Sequence, residues 1–177
     1  MTRIQFYGAT SLDGYLATPD DDLDWLTQLP DVPAAPGEAV LHQMTAAVMG
    51  RTTYDTIQRL APGAPLNPAN PTMTSVVFTH HPRPATPSVT FTAEPPVPLV
   101  RRLAAQTPGN LWVVGGAAIL TPLLAAGLVD DLYLQIAPIL LGRGKRLFGD
   151  LTTPQAFELV TVHRLGPLAE LVYQRTN

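Results

Sequence analysis

Short apolar runs alternate with stretches of helical spacing along most of the chain. The apolar runs are rich in β-branched residues and are bounded by turn residues, which predicts buried strands at 3–11, 47–50, 75–79, 89–92, 111–114 and 131–137. Between them, apolar residues recur every three or four positions, as on one face of a helix. This spacing predicts helices at 38–46, 51–60, 98–106 and 117–126.

Prolines and glycines mark the connections between these elements. Residues 19–37 hold four prolines and a glycine among aspartates, which predicts a covering loop with at most one short helix near 23–29. Two runs at 157–164 and 169–175, joined through Gly166 and Pro167, predict an antiparallel hairpin. We therefore expect residues 1–177 to form one α/β domain with a mostly parallel sheet, helices on both faces and a C-terminal antiparallel hairpin.

Composition narrows the classes of protein that fit this pattern. The chain has 177 residues, of which 46% are apolar and 14% charged, so it can bury a core without disulfides or metal. Its formal net charge is −3 and Lys145 is its only lysine, which argues against nucleic-acid binding, since phosphate contacts need clustered Lys and Arg. The chain has no cysteine, no bilayer-length apolar run and no signal-peptide pattern, so we expect a cytoplasmic protein that does not bind membranes.

Paired glycines follow one predicted strand and precede a predicted helix. Gly115 and Gly116 allow the backbone to approach a ligand closely, and the helix start at Ala117, Ala118 and Ile119 offers free N–H groups to a pyrophosphate. The alternative is that the glycines only permit a sharp strand-to-helix turn, because the full G-x-G-x-x-G pattern is absent.

A second strand-to-helix junction carries Gly50, Arg51, Thr52 and Thr53. Arginine has the wrong charge for the positive end of a helix, and a bound anion would explain its position. The alternative is a surface arginine beside threonine caps. Two such junctions favour a dinucleotide, and Thr79 and His80, after another strand, could contact an adenosine 2′-phosphate.

Three segments resemble the dihydrofolate-reductase-like superfamily: residues 11–14, residues 48–54 and residues 111–148. The chain is most similar to the C-terminal reductase domain of the bacterial bifunctional riboflavin-biosynthesis deaminase-reductase. The resemblance implies a three-layer α/β fold, NADPH bound along the strand ends, hydride transfer and a homodimer paired through the C-terminal strands. It also implies that Ala9 and Thr10 line the nicotinamide side and that Trp25 contacts the cofactor, although Trp25 could equally anchor a loop.

The chain departs from this family at its substrate residues. Val114 stands where the riboflavin reductases have a glutamate, Leu23 where they have a serine, and no arginine lies between Arg3 and Arg51. These departures disfavour a phosphorylated pyrimidine substrate. Ala34 lies where dihydrofolate reductases have an acid, which disfavours folate reduction by that acid.

Asp13 is the acid nearest the expected hydride site and is the candidate proton donor, unless it only forms a turn with Gly14. The segment 142–146 predicts a charged turn, and neither the histidines nor Asp20–Asp22 have a metal-site spacing, so no metal is expected. The sequence thus predicts an NADPH-dependent reductase of a small heterocyclic or imine-type substrate. The alternatives are a pterin or dihydrofolate-type reductase and a catalytically silent, dimeric nucleotide-binding protein.

Overall fold

A computed structural model of the protein describes residues 2–176. The helices are α1 (Asp24–Thr27), α2 (Ala34–Leu41), α3 (Arg51–Leu60), α4 (Pro96–Gln106) and α5 (Ala117–Ala125). The strands are β1 (Ile4–Ser11), β2 (Tyr15–Ala17), β3 (Met44–Gly50), β4 (Thr74–Phe78), β5 (Val89–Thr92), β6 (Asn110–Gly115), β7 (Asp131–Ala137), β8 (Lys145–Arg146), β9 (Phe157–Leu165) and β10 (Leu168–Arg175).

Eight of these strands form one sheet in the order β5-β4-β3-β6-β1-β7-β10-β9. The pairs from β5 to β7 are all parallel, while β10 runs antiparallel to both β7 and β9. The predicted mostly parallel sheet with an antiparallel C-terminal hairpin is therefore confirmed. In the hairpin turn Gly166 has a φ of +61°, and a side chain there would meet the backbone oxygen of Asp31, so only glycine fits.

Helices cover both faces of the sheet and bury two apolar clusters. On one face α4 and α5 pack over Phe6, Val48 and Val113, which are fully buried. On the other face α2 and α3 pack over a cluster that includes Met49 and Trp112. Since β3, β4, β5 and β6 are parallel, their carboxyl ends open at the same edge of the sheet.

The helix predicted at 38–46 is displaced toward the N-terminus. It forms at Ala34–Leu41, and Pro36 lies in its first turn. Backbone N–H groups in the first turn have no intrahelical acceptor, so a proline there costs no hydrogen bond. Met44 and Ala46 belong to β3 instead, because Met44 pairs with β6 and Ala46 pairs with both β6 and β4. Pairing with two neighbouring strands overrides the local helical spacing here.

A second, two-stranded sheet was not predicted. Tyr15–Ala17 pairs antiparallel with Lys145–Arg146, within the segment predicted as a charged turn. The Lys145 ammonium lies 2.5 Å from the Asp21 carboxylate, and the Arg146 guanidinium lies 5.2 Å from the ring centre of Tyr15. None of the helices in residues 2–176 has the length and apolar character that crossing a bilayer requires.

Candidate functional site

A large cavity opens at the carboxyl ends of the parallel strands. Its volume is about 1420 Å³, and residues at the ends of β3, β4, β5 and β6 line it. Pockets for one small ligand usually measure about 300–1,000 Å³, so this cavity has room for a dinucleotide and a second small molecule. We distinguish a junction end, formed by 50–53, 79–80 and 115–119, from a strand-face end, formed by Tyr7, Trp112 and Gln135.

At the junction end two helices begin directly after parallel strands. Helix α3 follows β3 with Gly50 as its N-cap, and α5 follows β6 with Gly116 as its N-cap. Neither N-cap makes a side-chain hydrogen bond to its helix, so no capping side chain satisfies the first-turn N–H groups. A Cβ at Gly116 would lie 4.0 Å from the Thr53 hydroxyl, which shows that the two helix starts are close neighbours. Their positive ends together make this end suited to an anion.

Most predicted cofactor residues lie together in this cavity. The lining includes Ala9, Gly50, Arg51, Thr52, Thr53, Thr79, His80, Gly115, Gly116, Ala117, Ala118 and Ile119. Gly115 has a φ of +128°, a conformation that L side chains rarely adopt, so the first glycine of the pair is required by the turn itself. The structure therefore brings both predicted anion junctions to one cavity.

Arg51 has a partner within its own helix. Its Nε donates to both carboxylate oxygens of Asp55, at 2.8 and 2.7 Å, one helical turn along α3. The pair holds the guanidinium beside the cavity and offsets part of its unfavourable position at a helix start. An anion bound here would share Arg51 with Asp55.

At the strand-face end polar side chains project from the sheet. The Gln135 amide nitrogen donates to the Tyr7 hydroxyl oxygen at 2.9 Å and to a Glu170 carboxylate oxygen at 3.1 Å. The Trp112 indole nitrogen donates to the backbone oxygen of Tyr7 at 2.9 Å. Burial raises the pKa of the Tyr7 hydroxyl, so this group stays protonated at neutral pH. Sequence reasoning missed these residues, because Tyr7 and Gln135 lie 128 positions apart in strands that have no motif.

The structure does not bring Asp13 into the cavity lining. Its carboxylate accepts hydrogen bonds from the Ser11 hydroxyl at 2.7 Å and from the backbone N–H groups of Leu141 and Gly142 at 3.1 and 2.7 Å. These bonds, that from Ser11 first, lower the pKa of Asp13 from 3.8 to about 2. The Asp13 carboxylate thereby holds the segment after β7, and its role as proton donor stays a prediction.

Thr10 and Trp25 also lie apart from the lining residues. Thr10 is 3% exposed and points to the opposite face of β1 from Ala9, as alternate strand residues do. Trp25 packs against Leu165 and Leu168 of the C-terminal hairpin. Its neighbours Leu23 and Leu26 contribute to the cavity in its place.

No group of three or more side chains able to hold a metal ion occurs within the described residues 2–176. The charged residues that line the cavity include Asp21, Lys145 and Arg146 from the small two-stranded sheet and its neighbourhood. Asp21 pairs with Lys145, so the Arg146 guanidinium is the net positive charge of these three.

Comparison with known proteins agrees with this architecture. The uncharacterized Bacillus subtilis protein YwjB is 29% identical over 171 residues, which cover 96% of this chain and 95% of YwjB. A putative riboflavin biosynthesis protein from Shewanella sp. PV-4 superposes with a TM-score of 0.83 at 27% identity over 100% of both chains. Dihydrofolate reductase from Enterococcus faecalis, complexed with NADP(H), gives a TM-score of 0.67 at 18% identity, covering 99% of this chain and 97% of that one.

The two superpositions show that these structures share the fold of this chain, so the resemblance to the dihydrofolate-reductase-like superfamily is confirmed at the level of the fold. The family model described as the RibD C-terminal domain matches residues 3–169, nearly the whole chain. The chain belongs to the RibD C-terminal domain family.

Proposed function

We propose that this protein is an NADPH-dependent reductase that transfers a hydride to an electrophilic carbon of a small heterocyclic or imine-type substrate. The observation that carries the proposal is the pair of glycine-capped helix starts, at Gly50 and Gly116, which open side by side onto one cavity of about 1420 Å³. NADPH has two phosphate regions, its pyrophosphate and its 2′-phosphate, and two adjacent uncapped helix starts fit them.

The lining residues fit NADPH by position and chemistry. Residues 115–119 would hold the pyrophosphate on the N-terminus of α5, while Arg51, Thr52 and Thr53 would hold the 2′-phosphate. Thr79 and His80 offer a hydroxyl and an imidazole to the 2′-phosphate, and Ala9 leaves room for the nicotinamide ring beside β1. The complex of Enterococcus faecalis dihydrofolate reductase with NADP(H) supports the use of this coenzyme on this fold.

The coenzyme, when bound, supplies the hydride. The chain binds and orients the two reactants and excludes water from the space between them. Val114 and Trp112 give the strand-face end apolar surfaces for a ring. Since Asp13 lies outside the lining, no step of this proposal depends on its predicted role as proton donor.

Family membership favours a substrate of the riboflavin-biosynthesis type, such as a ribosylaminopyrimidine. The name of the Shewanella protein points in the same direction. However, Val114 lines the cavity where riboflavin reductases have a glutamate, so we propose a related heterocycle that does not need a carboxylate contact at this point.

We also propose that the protein is a homodimer that pairs through its C-terminal strands. Strand β9 is an edge of the eight-stranded sheet, and Leu159, Val160 and Val162 on it are at least half exposed. An edge strand with exposed large apolar side chains is typical of a surface that pairs with another chain.

The test of cofactor binding is calorimetry with NADPH and NADH. We expect the wild-type protein to bind NADPH, and Arg51→Ala to weaken NADPH about 10- to 100-fold, the effect of losing a charged hydrogen bond to the 2′-phosphate. NADH lacks that phosphate, so its affinity should change little. Arg101→Ala, which removes an exposed arginine from α4, is the control for net charge.

Turnover is measured by the loss of reduced-coenzyme absorbance with pyrimidine, pterin and imine substrates. No binding of either coenzyme by folded protein contradicts the proposal. Equal loss of NADPH and NADH affinity in Arg51→Ala contradicts the assignment of Arg51. Binding without oxidation of any substrate favours the catalytically silent, nucleotide-binding alternative.

A further inference from the structure

A hydrogen-bonded line of three side chains crosses β1, β7 and β10: Tyr7 and Gln135 at the strand-face end, and Glu170 next to Gln135. Gln135 lies opposite Glu170 in the register of β7 and β10, and opposite Ala9 in the register of β1 and β7. Its amide nitrogen makes both of its bonds within this line, to the Tyr7 hydroxyl and to Glu170. Tyr7 and Gln135 line the cavity, whereas the Glu170 side chain is only 4% exposed and lies behind them.

The chemistry of Glu170 fixes which way the Gln135 amide points. A carboxylate only accepts hydrogen bonds, so the Glu170 oxygen 3.1 Å away must face the amide nitrogen and not the amide oxygen. The Gln135 amide nitrogen donates its second hydrogen bond to the Tyr7 hydroxyl oxygen. Within residues 2–176 the Gln135 amide oxygen accepts no hydrogen bond, and it is left for a ligand.

The donor and acceptor roles of the Tyr7 hydroxyl are fixed as well. Because its oxygen accepts from Gln135, its own hydrogen is free to be donated to another acceptor, such as a ligand in the cavity that Tyr7 lines. Helix α2 limits the movement of this hydroxyl, since a Cβ at Gly37 would lie only 2.5 Å from it. The Trp112 indole, on neighbouring β6, donates to the backbone oxygen of Tyr7 and holds it.

A hydrogen-bond donor and an acceptor therefore lie next to each other on the cavity surface. Their complement is a carbonyl oxygen beside an N–H group, the edge of a cyclic amide. The neighbouring Trp112 and Val114 are uncharged, which suits a flat, uncharged ring and not a phosphate or carboxylate.

We propose that Tyr7 and Gln135 are specificity-determining residues that recognise the cyclic amide edge of the substrate, and that Glu170 is the positioning residue that sets the polarity of the pair. This inference rests on the proposed reductase function, because the pair would orient the substrate ring against the nicotinamide. It assigns no covalent step to these residues.

The test uses lumazine, a fluorescent bicyclic amide with ring N–H groups, and 1,3-dimethyllumazine, which keeps both carbonyls but has no ring N–H. Both are titrated into the protein saturated with NADP⁺, so no turnover occurs. We expect wild-type protein to bind lumazine at least about tenfold more tightly than the dimethyl compound, the effect of one well-placed hydrogen bond and an orphaned acceptor.

Two variants separate the roles of the residues. Tyr7→Phe should weaken lumazine about tenfold through loss of the donor, with unchanged NADP⁺ affinity. In Glu170→Gln the Gln135 amide can rotate by 180°, so that its oxygen and nitrogen exchange places. The preference for lumazine should then fall to about threefold or less, which a purely structural role of Glu170 would not produce. Tyr133→Phe is the matched control, since this tyrosine neighbours Tyr7, with ring centres 6.3 Å apart, but lies outside the lining.

The outcomes distinguish this inference from the proposed function. If wild-type protein binds NADP⁺ but does not bind lumazine, or binds lumazine and the dimethyl compound equally, the inference is overturned. The reductase proposal then still stands. If Tyr7→Phe binds lumazine as wild type does, the inference also fails, whether or not Glu170→Gln folds. If folded wild-type protein does not bind NADP⁺, the proposed function itself fails.

Discussion

The two ends of the cavity are built by different means. The junction end relies on backbone: glycine N-caps and the N–H groups of the first turns of α3 and α5. The strand-face end relies on side chains from β1, β6 and β7, fixed by Glu170 from β10. Backbone donors suit a phosphate of constant shape, whereas side chains can change from one relative to another. We infer that the first end fixes the coenzyme and the second end selects the substrate.

The largest loss of NADPH affinity is expected from a substitution at Gly116, in the junction end. Gly116→Leu places a side chain in the space beside Thr53, where a Cβ alone would make ordinary contact at 4.0 Å. We expect NADPH affinity to fall about 100-fold or more because the pyrophosphate site is filled, while the melting temperature changes by only about 3 °C. Ala125→Leu, at the exposed far end of α5, is the control.

Calorimetry and thermal unfolding of both variants check this prediction. Unchanged NADPH affinity in Gly116→Leu would remove the pyrophosphate from this junction. A similar loss in Ala125→Leu would show that α5 as a whole, and not the glycine, is responsible.

A smaller effect, confined to the strand-face end, is expected at Gly37. In Gly37→Ala the new Cβ presses on the Tyr7 hydroxyl, and we expect a loss of about 1 kcal/mol in the free energy of unfolding. In a Tyr7→Phe background the nearest ring carbon is 3.6 Å away, so the same change should stabilise helix α2 by about 0.5–1 kcal/mol.

Urea denaturation of the four proteins of this cycle measures the coupling between the two positions. NADPH affinity, measured alongside, should stay the same in all four. Additive effects would show that the hydroxyl does not lie against Gly37, and a change in NADPH affinity would break the division between the two ends.

The smallest effect, a change in stability alone, is expected from a substitution at Asp13, which belongs to neither end of the cavity. Its pKa is lowered to about 2 from 3.8, so its ionised form stabilises the fold above pH 3.8 and this contribution is lost as the pH falls toward about 2. Asp13→Asn should therefore be less stable than wild type at neutral pH, and the difference should narrow over that interval. NADPH affinity should not change.

Denaturation at a series of pH values measures this difference, with Asp20→Asn, an exposed aspartate, as the control. A stability difference of constant size down to about pH 2 would show that the charge of Asp13 is not its cause. Loss of turnover with unchanged stability would instead support the predicted catalytic role of Asp13.

The sequence predicted much of the junction end because each junction is local. A buried strand, a glycine and a helix start follow one another at 48–54 and again at 113–119, so consecutive residues contain the whole pattern. The strand-face end depends on contacts that are remote along the chain, 128 positions from Tyr7 to Gln135 and 35 more to Glu170. A single polar residue in a strand indicates nothing about its partner.

The same distinction explains the errors in the predicted fold. Helix α3 and strand β7 match their predicted bounds, since their patterns are long and regular. The helix predicted at 38–46 is misplaced because β3 gains its hydrogen bonds from β4 and β6. The two-residue strand β8 was missed, because Lys145 and Arg146 are too few to show a period and pair only through β2.

The closeness of Gly116 and Thr53 has a thermodynamic consequence. Two helices that point their amino ends at the same spot bring like partial charges together, each roughly half an elementary charge, and the unliganded protein carries that repulsion. An anionic coenzyme would relieve this repulsion, and its binding to the folded protein would raise the free energy of unfolding. How long the protein survives heat or proteolysis would then depend on how much coenzyme surrounds it.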